Sequence, residues 1–125
     1  MSLRYLDFDL SENADGIVTL DAMASVAPPH LGAVHAELAL VLAWAHAEFP
    51  DGPLPIDEDG PWDYDLQATQ ERSTQERLRY DATTRRLSSE PFGAEALRHT
   101  VALSISATPV FAAAFCERFG VGVGG

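Results

Sequence analysis

The chain has 125 residues, of which 46% are hydrophobic and 22% charged, values that are ordinary for a globular protein and unlike those of disordered chains. This length predicts one domain over residues 1–125. The net charge is −11 and all eight basic residues are arginine, so the chain lacks the basic footprint of proteins that bind nucleic acid or anionic membranes. A single cysteine and the absence of a secretory signal pattern predict a cytoplasmic location.

The first predicted elements are two strands. Residues 4–10 alternate between apolar and polar side chains, and so do residues 17–26. The segment between them ends in Asp15-Gly16, a pair typical of tight turns. The pattern predicts a hairpin in which the apolar side of each strand faces the core.

A long helix is predicted next. Residues 29–49 lie between prolines, and one stripe of apolar side chains recurs with the helical period. That stripe consists of Leu31, Val34, Leu38, Val41, Leu42, Ala45 and Phe49. Leu40 and Trp44 lie on another side of the helix, among small residues that include Ala36 and Ala47. We expect the C-terminal helix or another subunit to cover this second apolar side, the alternative being that Leu40 and Trp44 are half-exposed.

The middle of the chain is predicted to alternate between loops and strands. Residues 50–61 are rich in proline, glycine and acids, which is typical of a loop. The elements predicted after it are a strand at 62–70, a turn at 71–75, two short strands at 78–81 and 85–89, and a loop at 90–96.

The last elements are a strand and a helix. Residues 98–107 alternate most regularly, with Val101, Leu103 and Ile105 facing inward. Thr108 is the expected N-cap of the helix, and Gly120 the expected left-handed residue at its end. The tail 121–125 is expected to fray.

The predicted order of elements is therefore ββα-βββ-βα. Each strand has one apolar and one polar face, which suits a sheet that is covered on one side only. We predict an α+β fold: a two-layer sandwich in which one mostly antiparallel sheet of about five to six strands carries both helices on one face.

Polar side chains near the open sheet face, or between the long helix and the 50–61 loop, are the candidates for a ligand site. They are Asp63, Tyr64, Asp65, Arg77, Arg79 and His46. Carboxylates two residues apart on one strand lie about 7 Å apart on the same side, a spacing used in acid–base catalysis and in holding divalent cations. Cross-strand ion pairing on a solvated surface is the alternative interpretation.

The sequence predicts neither a metal site nor a cofactor. The run Asp57-Glu58-Asp59-Gly60 departs from a calcium loop because its glycine comes too early and its twelfth position is Ala68. The histidines lack the spacing of a shared metal site, and Cys116 has no cysteine or histidine signature around it.

These observations favour a small acidic protein that acts by binding another protein, without chemistry of its own. We expect a homodimer with Leu40, Trp44, Ala36 and Ala47 at its interface, and a basic protein as a second kind of partner. The alternatives are a small-molecule binder or enzyme that uses the ligand site above, and divalent-metal binding through clustered carboxylates.

Overall fold

The computed structural model describes residues 3–121 of the chain. Its elements are β1 (Asp9–Glu12), β2 (Val18–Val26), α1 (Pro28–Glu48), a short 3-10 helix (Ile56–Glu58), β3 (Trp62–Asp81), β4 (Arg86–Ala107) and α2 (Pro109–Phe119). The strands form one antiparallel sheet in the order β1-β2-β4-β3. The predicted α+β class is confirmed, with four strands in the described residues where the sequence predicted five to six.

The difference in strand number arises in the second half of the chain. The turn predicted at 71–75 is wrong, because β3 runs on through it to Asp81. The loop predicted at 90–96 is likewise part of β4, which is irregular there: the register shifts between Ser73 and Gln75, and Gly93 has a φ of 78°. No glycine or proline interrupts residues 62–81, so nothing in that segment breaks the strand.

The N-terminal segment is held by a side chain over part of its predicted strand. The backbone N–H groups of Arg4, Tyr5 and Leu6 donate to the carboxylate of Glu37 on α1, at 2.9–3.1 Å. Ladder pairing with β2 begins only at Asp9, opposite Asp21, so β1 is shorter and later than the predicted strand 4–10. A carboxylate that accepts several backbone N–H groups replaces the missing ladder for residues 4–6.

The hydrophobic core combines residues of the strands with residues of both helices. Val18, Leu20, Ala22 and Ala24 of β2 are buried and alternate with polar or exposed residues, as predicted. The same holds for Val101, Leu103, Ile105 and Ala107 of β4. These strand residues belong to one hydrophobic cluster with the buried residues of both helices. The two-layer arrangement itself stays a prediction.

The apolar stripe predicted on α1 faces this core. Val34, Leu38, Val41 and Ala45 are buried, and Leu31, Leu42 and Phe49 pack against them from partly exposed positions. None of the helices in the described part of the chain has the length and hydropathy that crossing a bilayer requires.

α2 begins and ends at the predicted residues. The Thr108 hydroxyl accepts a hydrogen bond from the Phe111 N–H at 3.4 Å, and Gly120 has a φ of 65°. One face of α2 places Phe111, Phe115 and Phe119 in the core. Of the tail predicted to fray, residues 122–125 lie outside the described residues.

Candidate functional site

The most exposed element of the structure is a two-stranded arm, residues 71–98. β2 ends with Val26 opposite His99, and beyond that point β3 and β4 pair only with each other among the described residues. Every residue of the arm is exposed except Leu97, which is half-buried. An isolated hairpin is marginally stable in water because neither face is covered, so this arm lacks the cover that the rest of the sheet receives.

The two faces of the arm differ in chemistry. On one face Tyr80 lies opposite Leu87, and Leu78 opposite Ser89. Leu78, Tyr80 and Leu87 are 64%, 61% and 67% exposed. The other face carries Arg77 and Arg79, which lie opposite Glu90 and Ser88. The arm is therefore an amphipathic ribbon whose apolar face is open to solvent.

Charge is divided unequally between the arm and the rest of the chain. Six of the eight arginines lie in the arm, together with five of the nineteen acidic residues. The remaining residues carry two arginines and fourteen acidic side chains. The arm is thus close to neutral, and the body of the protein is strongly acidic.

β3 is also the open edge of the sheet. It lies at one end of the strand order and pairs on its other side with β4, so the backbone groups on its outer side have no strand partner among the described residues. Its 20 residues make it five times as long as β1, the opposite edge strand. Long unprotected edges are the surfaces to which other strands add.

Carboxylates gather on the sheet face opposite the core. The register places Asp9 opposite Asp21, Asp21 opposite Ser104, and Ser104 opposite Asp65. These residues form one row across all strands of the sheet. Asp9 and Asp21 are direct neighbours of like charge, an arrangement that costs stability unless a cation or a basic group relieves it.

Two open grooves lie along this face. A groove of about 530 Å³ is lined by residues that include Ile17, Ile56, Asp63, Asp65 and Ser106. A second, of about 510 Å³, contains Asp7, Asp9, Asp21 and Asp65. The acidic side chains of the sequence prediction therefore surround surface depressions.

The ligand-site residues predicted from the sequence do not all come together, because two of them lie out on the arm. Asp63, Tyr64 and Asp65 line the groove beside the 3-10 helix. Arg77 and Arg79 lie far out on the arm, near Ser88 and Glu90. His46 lies on α1, where its ring meets the edge of Trp62 with centroids 5.2 Å apart.

The residues predicted to form an interface on α1 are partly covered by the chain itself. The Trp44 ring packs edge-on against Phe111, Phe115 and Phe119 of α2, with centroids 5.5–5.8 Å apart. The C-terminal helix therefore covers Trp44. Leu40, Ala36 and Ala47 remain exposed.

Metal-ligating side chains and the cysteine thiol are the remaining groups that could carry chemistry. Within residues 3–121, no three histidine, cysteine or acidic side chains lie close enough together to hold a metal ion. Burial raises the pKa of the Cys116 thiol, which disfavours the reactive thiolate. The carboxylate row of Asp9, Asp21 and Asp65 thus places negative charge on one face of the sheet.

Comparison with known proteins gives no relative from which a function could be transferred. No protein-family model, no curated protein and no solved structure matches the chain.

Sequence reasoning missed the arm because its strands are polar on one side and only sparsely apolar on the other. Leu78, Tyr80 and Leu87 did indicate short strands. The signal that would have revealed the arm is the absence of any glycine or proline from Trp62 to Asp81, followed by the Asp81 turn.

Proposed function

We propose that this protein acts by binding protein, that it does so as a homodimer, and that the arm is its binding element. The observation that carries the proposal is the exposed apolar face of Leu78, Tyr80 and Leu87 on a ribbon that its own chain leaves uncovered. Burying three such side chains in an interface stabilises it by several kcal/mol, at about 1.5–3 kcal/mol for full burial of each. Partly buried contacts contribute proportionally less.

The α1 surface of Leu40, Ala36 and Ala47 is a less favourable interface than the arm. Trp44, its largest member, contacts α2 within the same chain. What remains exposed is one leucine among alanines, which provides little apolar area. The arm is therefore the more favourable surface for a homodimer interface than α1.

Light scattering coupled to size exclusion tests the proposal. We expect a mass of about twice 13.5 kDa at micromolar concentration. Leu78→Ser and Tyr80→Ser should each shift the equilibrium toward the monomer. Met23→Ser is the matched control, since Met23 is 65% exposed but lies on the sheet body, outside the arm. A wild-type monomer at every concentration would remove the homodimer.

A second candidate function is small-ligand or basic-partner binding at the acidic sheet face. The row of Asp9, Asp21 and Asp65 and the groove beside the 3-10 helix support it. Divalent cations are one class of ligand for these carboxylates. A thermal-shift screen with metabolites, Ca²⁺, Mg²⁺, Mn²⁺ and a basic peptide tests this candidate, and Asp21→Asn should abolish any shift that depends on the row.

We also propose how the helices pack on the sheet and where in the cell the protein is located. The common core of the strands and helices supports a two-layer arrangement with both helices on one face of the sheet. The lone cysteine supports a reducing compartment, with the cytoplasm as the expected location. Cell fractionation with a tagged chain tests the location.

A further inference from the structure

The open edge of β3 suggests how the second copy binds. We infer that β3 pairs antiparallel with β3 of a second copy, with the two-fold axis at Arg72. This inference rests on the proposed homodimer and adds its interface and register. It would join two sheets into one continuous sheet, with the arm of each copy lying along the body of the other.

The outer edge of β3 is long enough to form a stable interface. Residues 63–81 paired with their own copy form a contact about 60 Å long and about 10 Å thick, which buries roughly 1,200 Å² over both copies. That area is at the lower end of the range for specific, stable complexes. The new ladder would also satisfy the outward backbone groups of both edges.

The sequence of β3 places mostly compatible residues opposite each other when two copies pair about Arg72. An antiparallel pair with its axis there aligns residues whose numbers sum to twice 72, and it keeps both sheet faces in register. The resulting cross-strand pairs include Tyr64 with Tyr80, Leu66 with Leu78, Asp65 with Arg79, and Gln67 with Arg77, and a like-charge pair of Asp63 with Asp81 lies at each end of the ladder. Apolar residues meet on one face, and a carboxylate meets a guanidinium on the other.

These apolar pairs would bring side chains that the helices leave exposed into lateral contact along β3, and Leu87 on β4 lies beside Tyr80 at the margin of that contact. Tyr64 and Leu66 are 37% and 43% exposed on the body of β3, and Leu78 and Tyr80 are more exposed on the arm. The pairing brings Tyr64 and Leu66 of one copy beside the arm residues of the other copy, and the two-fold axis repeats this contact at the opposite end of the ladder. The apolar face of the arm would thus continue the uncovered strip on β3 of the other copy.

The charges on β3 also favour this partner. The arm half of β3 holds three arginines and three acidic residues, whereas the body half holds Asp63 and Asp65 and no arginine. Because the two copies run in opposite directions, each arm lies against the acidic half of the other strand. The arginines of one copy therefore reduce the excess negative charge of the other.

Register is set by the apolar pairs. Moving the axis by one residue to Glu71 keeps one apolar pair, Tyr64 with Leu78, and forms two Asp–Arg pairs. That register nevertheless places Leu66 opposite Glu76 and Glu71 opposite its own copy, so only the axis at Arg72 pairs both Tyr64 and Leu66 with apolar residues of the arm. With the axis at Arg72, the two central arginines are neighbours, but the Arg72 guanidinium lies 3.7 Å from the Glu95 carboxylate of its own chain. That contact relieves the repulsion at the axis.

Disulfide trapping in a Cys116→Ser background tests the register. Arg72→Cys places two thiols directly opposite each other, at a Cα separation of about 5 Å, which a disulfide can span. Gln70→Cys and Thr74→Cys are the controls, since each is separated from its own copy by about 14 Å. A mixture of the Gln70→Cys and Thr74→Cys chains should cross-link, because these positions face each other.

We expect Arg72→Cys to form dimers about tenfold faster than either control alone, because pairing raises the effective thiol concentration.

A charge exchange gives a second readout. Asp65→Arg or Arg79→Asp alone should raise the dimer Kd roughly three- to tenfold, and the two together in one chain should restore it.

The outcomes separate this inference from the proposed function. If the wild type is a dimer by light scattering but Arg72→Cys cross-links no faster than Gln70→Cys, and the charge exchange does not restore affinity, the β3 pairing is overturned and the homodimer stands. If the wild type is a monomer, both are overturned. Rapid Arg72→Cys cross-linking together with Gln70→Cys/Thr74→Cys mixing supports the pairing.

Discussion

Asp65 and Arg79 lie on the same strand, fourteen residues apart, on the same side of its alternation. At about 3.3 Å per residue they are separated by roughly 46 Å along β3, so they cannot share a site within one chain. The sequence predicts a common ligand site for them, with a turn at 71–75 between their strands. The continuous strand separates them within a chain, and in the proposed dimer they meet between chains.

The first prediction concerns the arm and the oligomer. Leu78→Ser and Tyr80→Ser should weaken the dimer without lowering the midpoint of thermal unfolding measured on the monomer, because their side chains touch little of their own chain. The dimer Kd should rise about tenfold or more for each, as loss of an apolar contact at two symmetric positions costs roughly 1–3 kcal/mol. Sedimentation velocity measures this, with Met23→Ser as the control. Equal weakening by the control would argue against the arm.

The second prediction concerns the carboxylate that holds the N-terminal segment. Glu37→Ala should reduce the free energy of unfolding by about 1–3 kcal/mol, because the backbone N–H groups of residues 4–6 lose a charged acceptor. The site is partly exposed, so water replaces some of the loss and the lower half of that range is expected. Urea denaturation measures the change.

Glu48→Ala is the matched control, since Glu48 is an exposed glutamate on the same helix. Amide hydrogen exchange gives a local readout: Tyr5 and Leu6 should exchange faster in Glu37→Ala and at the wild-type rate in Glu48→Ala. Unchanged exchange at these amides in Glu37→Ala would contradict the role assigned to the carboxylate.

The third prediction uses two glycines in different surroundings. Gly60 is buried, and a Cβ there would collide with the backbone carbonyl of Leu54, so Gly60→Ala should destabilise the fold by about 2 kcal/mol or more. Gly32 lies within α1 with no atom near its added Cβ. Gly32→Ala should therefore stabilise the protein by about 0.5–1 kcal/mol. The midpoint of thermal unfolding should fall in Gly60→Ala and rise in Gly32→Ala. A lower midpoint in both variants would contradict the surroundings assigned to the two glycines.

The fourth prediction separates the two apolar residues on the second side of α1. Trp44→Ala should destabilise the monomer by about 2–4 kcal/mol, since it removes a ring that contacts the phenylalanines of α2. Leu40→Ala, one turn away and exposed, should cost less than about 1 kcal/mol. Neither should change the dimer Kd. A large effect of Leu40→Ala on dimerisation would restore α1 as the interface.

The fifth prediction concerns pH. Because burial raises the pKa of Cys116, its alkylation by iodoacetamide should reach half-maximal rate at a higher pH than that of an unstructured cysteine peptide. In the unfolded chain this thiol has its ordinary pKa and loses its proton at a lower pH than in the folded chain. The contribution of Cys116 to the free energy of unfolding is therefore complete below that ordinary pKa and is lost as the pH rises from it through the raised pKa of the folded state. An alkylation midpoint at or below that of the peptide would contradict the raised pKa.

Local signals in the sequence correctly predict the elements that form the hydrophobic core. The period-2 pattern of β2 and β4, the helical stripe of α1, the Thr108 cap and the Gly120 terminus each correspond to one physical cause that operates within a few residues. The structure agrees with all of them. The α+β class follows from these elements alone.

Longer-range features are less predictable from sequence. The backbone of residues 4–6 finds its acceptor on Glu37, more than thirty residues away, so its alternation alone suggests a longer strand. The arm is mostly polar, and hydrophobic periodicity is weak where neither face is buried. Residues 4–6 depart from the prediction because an acceptor distant in the sequence holds their backbone, and the arm departs from it because neither of its faces is buried in the chain.

The candidate site is divided for the same reason. The sequence identifies Asp63, Asp65, Arg77 and Arg79 as side chains on strands, but which strands adjoin decides which charges meet. The pairing of Asp9 with Asp21 depends on the β1–β2 register, which periodicity does not determine uniquely.

Sedimentation equilibrium of the wild-type chain beside the Leu78→Ser variant, over a range of micromolar concentrations, decides whether the arm holds a homodimer. The wild type should have a mass of about twice 13.5 kDa, and the variant should shift toward 13.5 kDa as its concentration falls. A wild-type mass of 13.5 kDa throughout, or a dimer that Leu78→Ser leaves unchanged, would contradict a homodimer held by the arm.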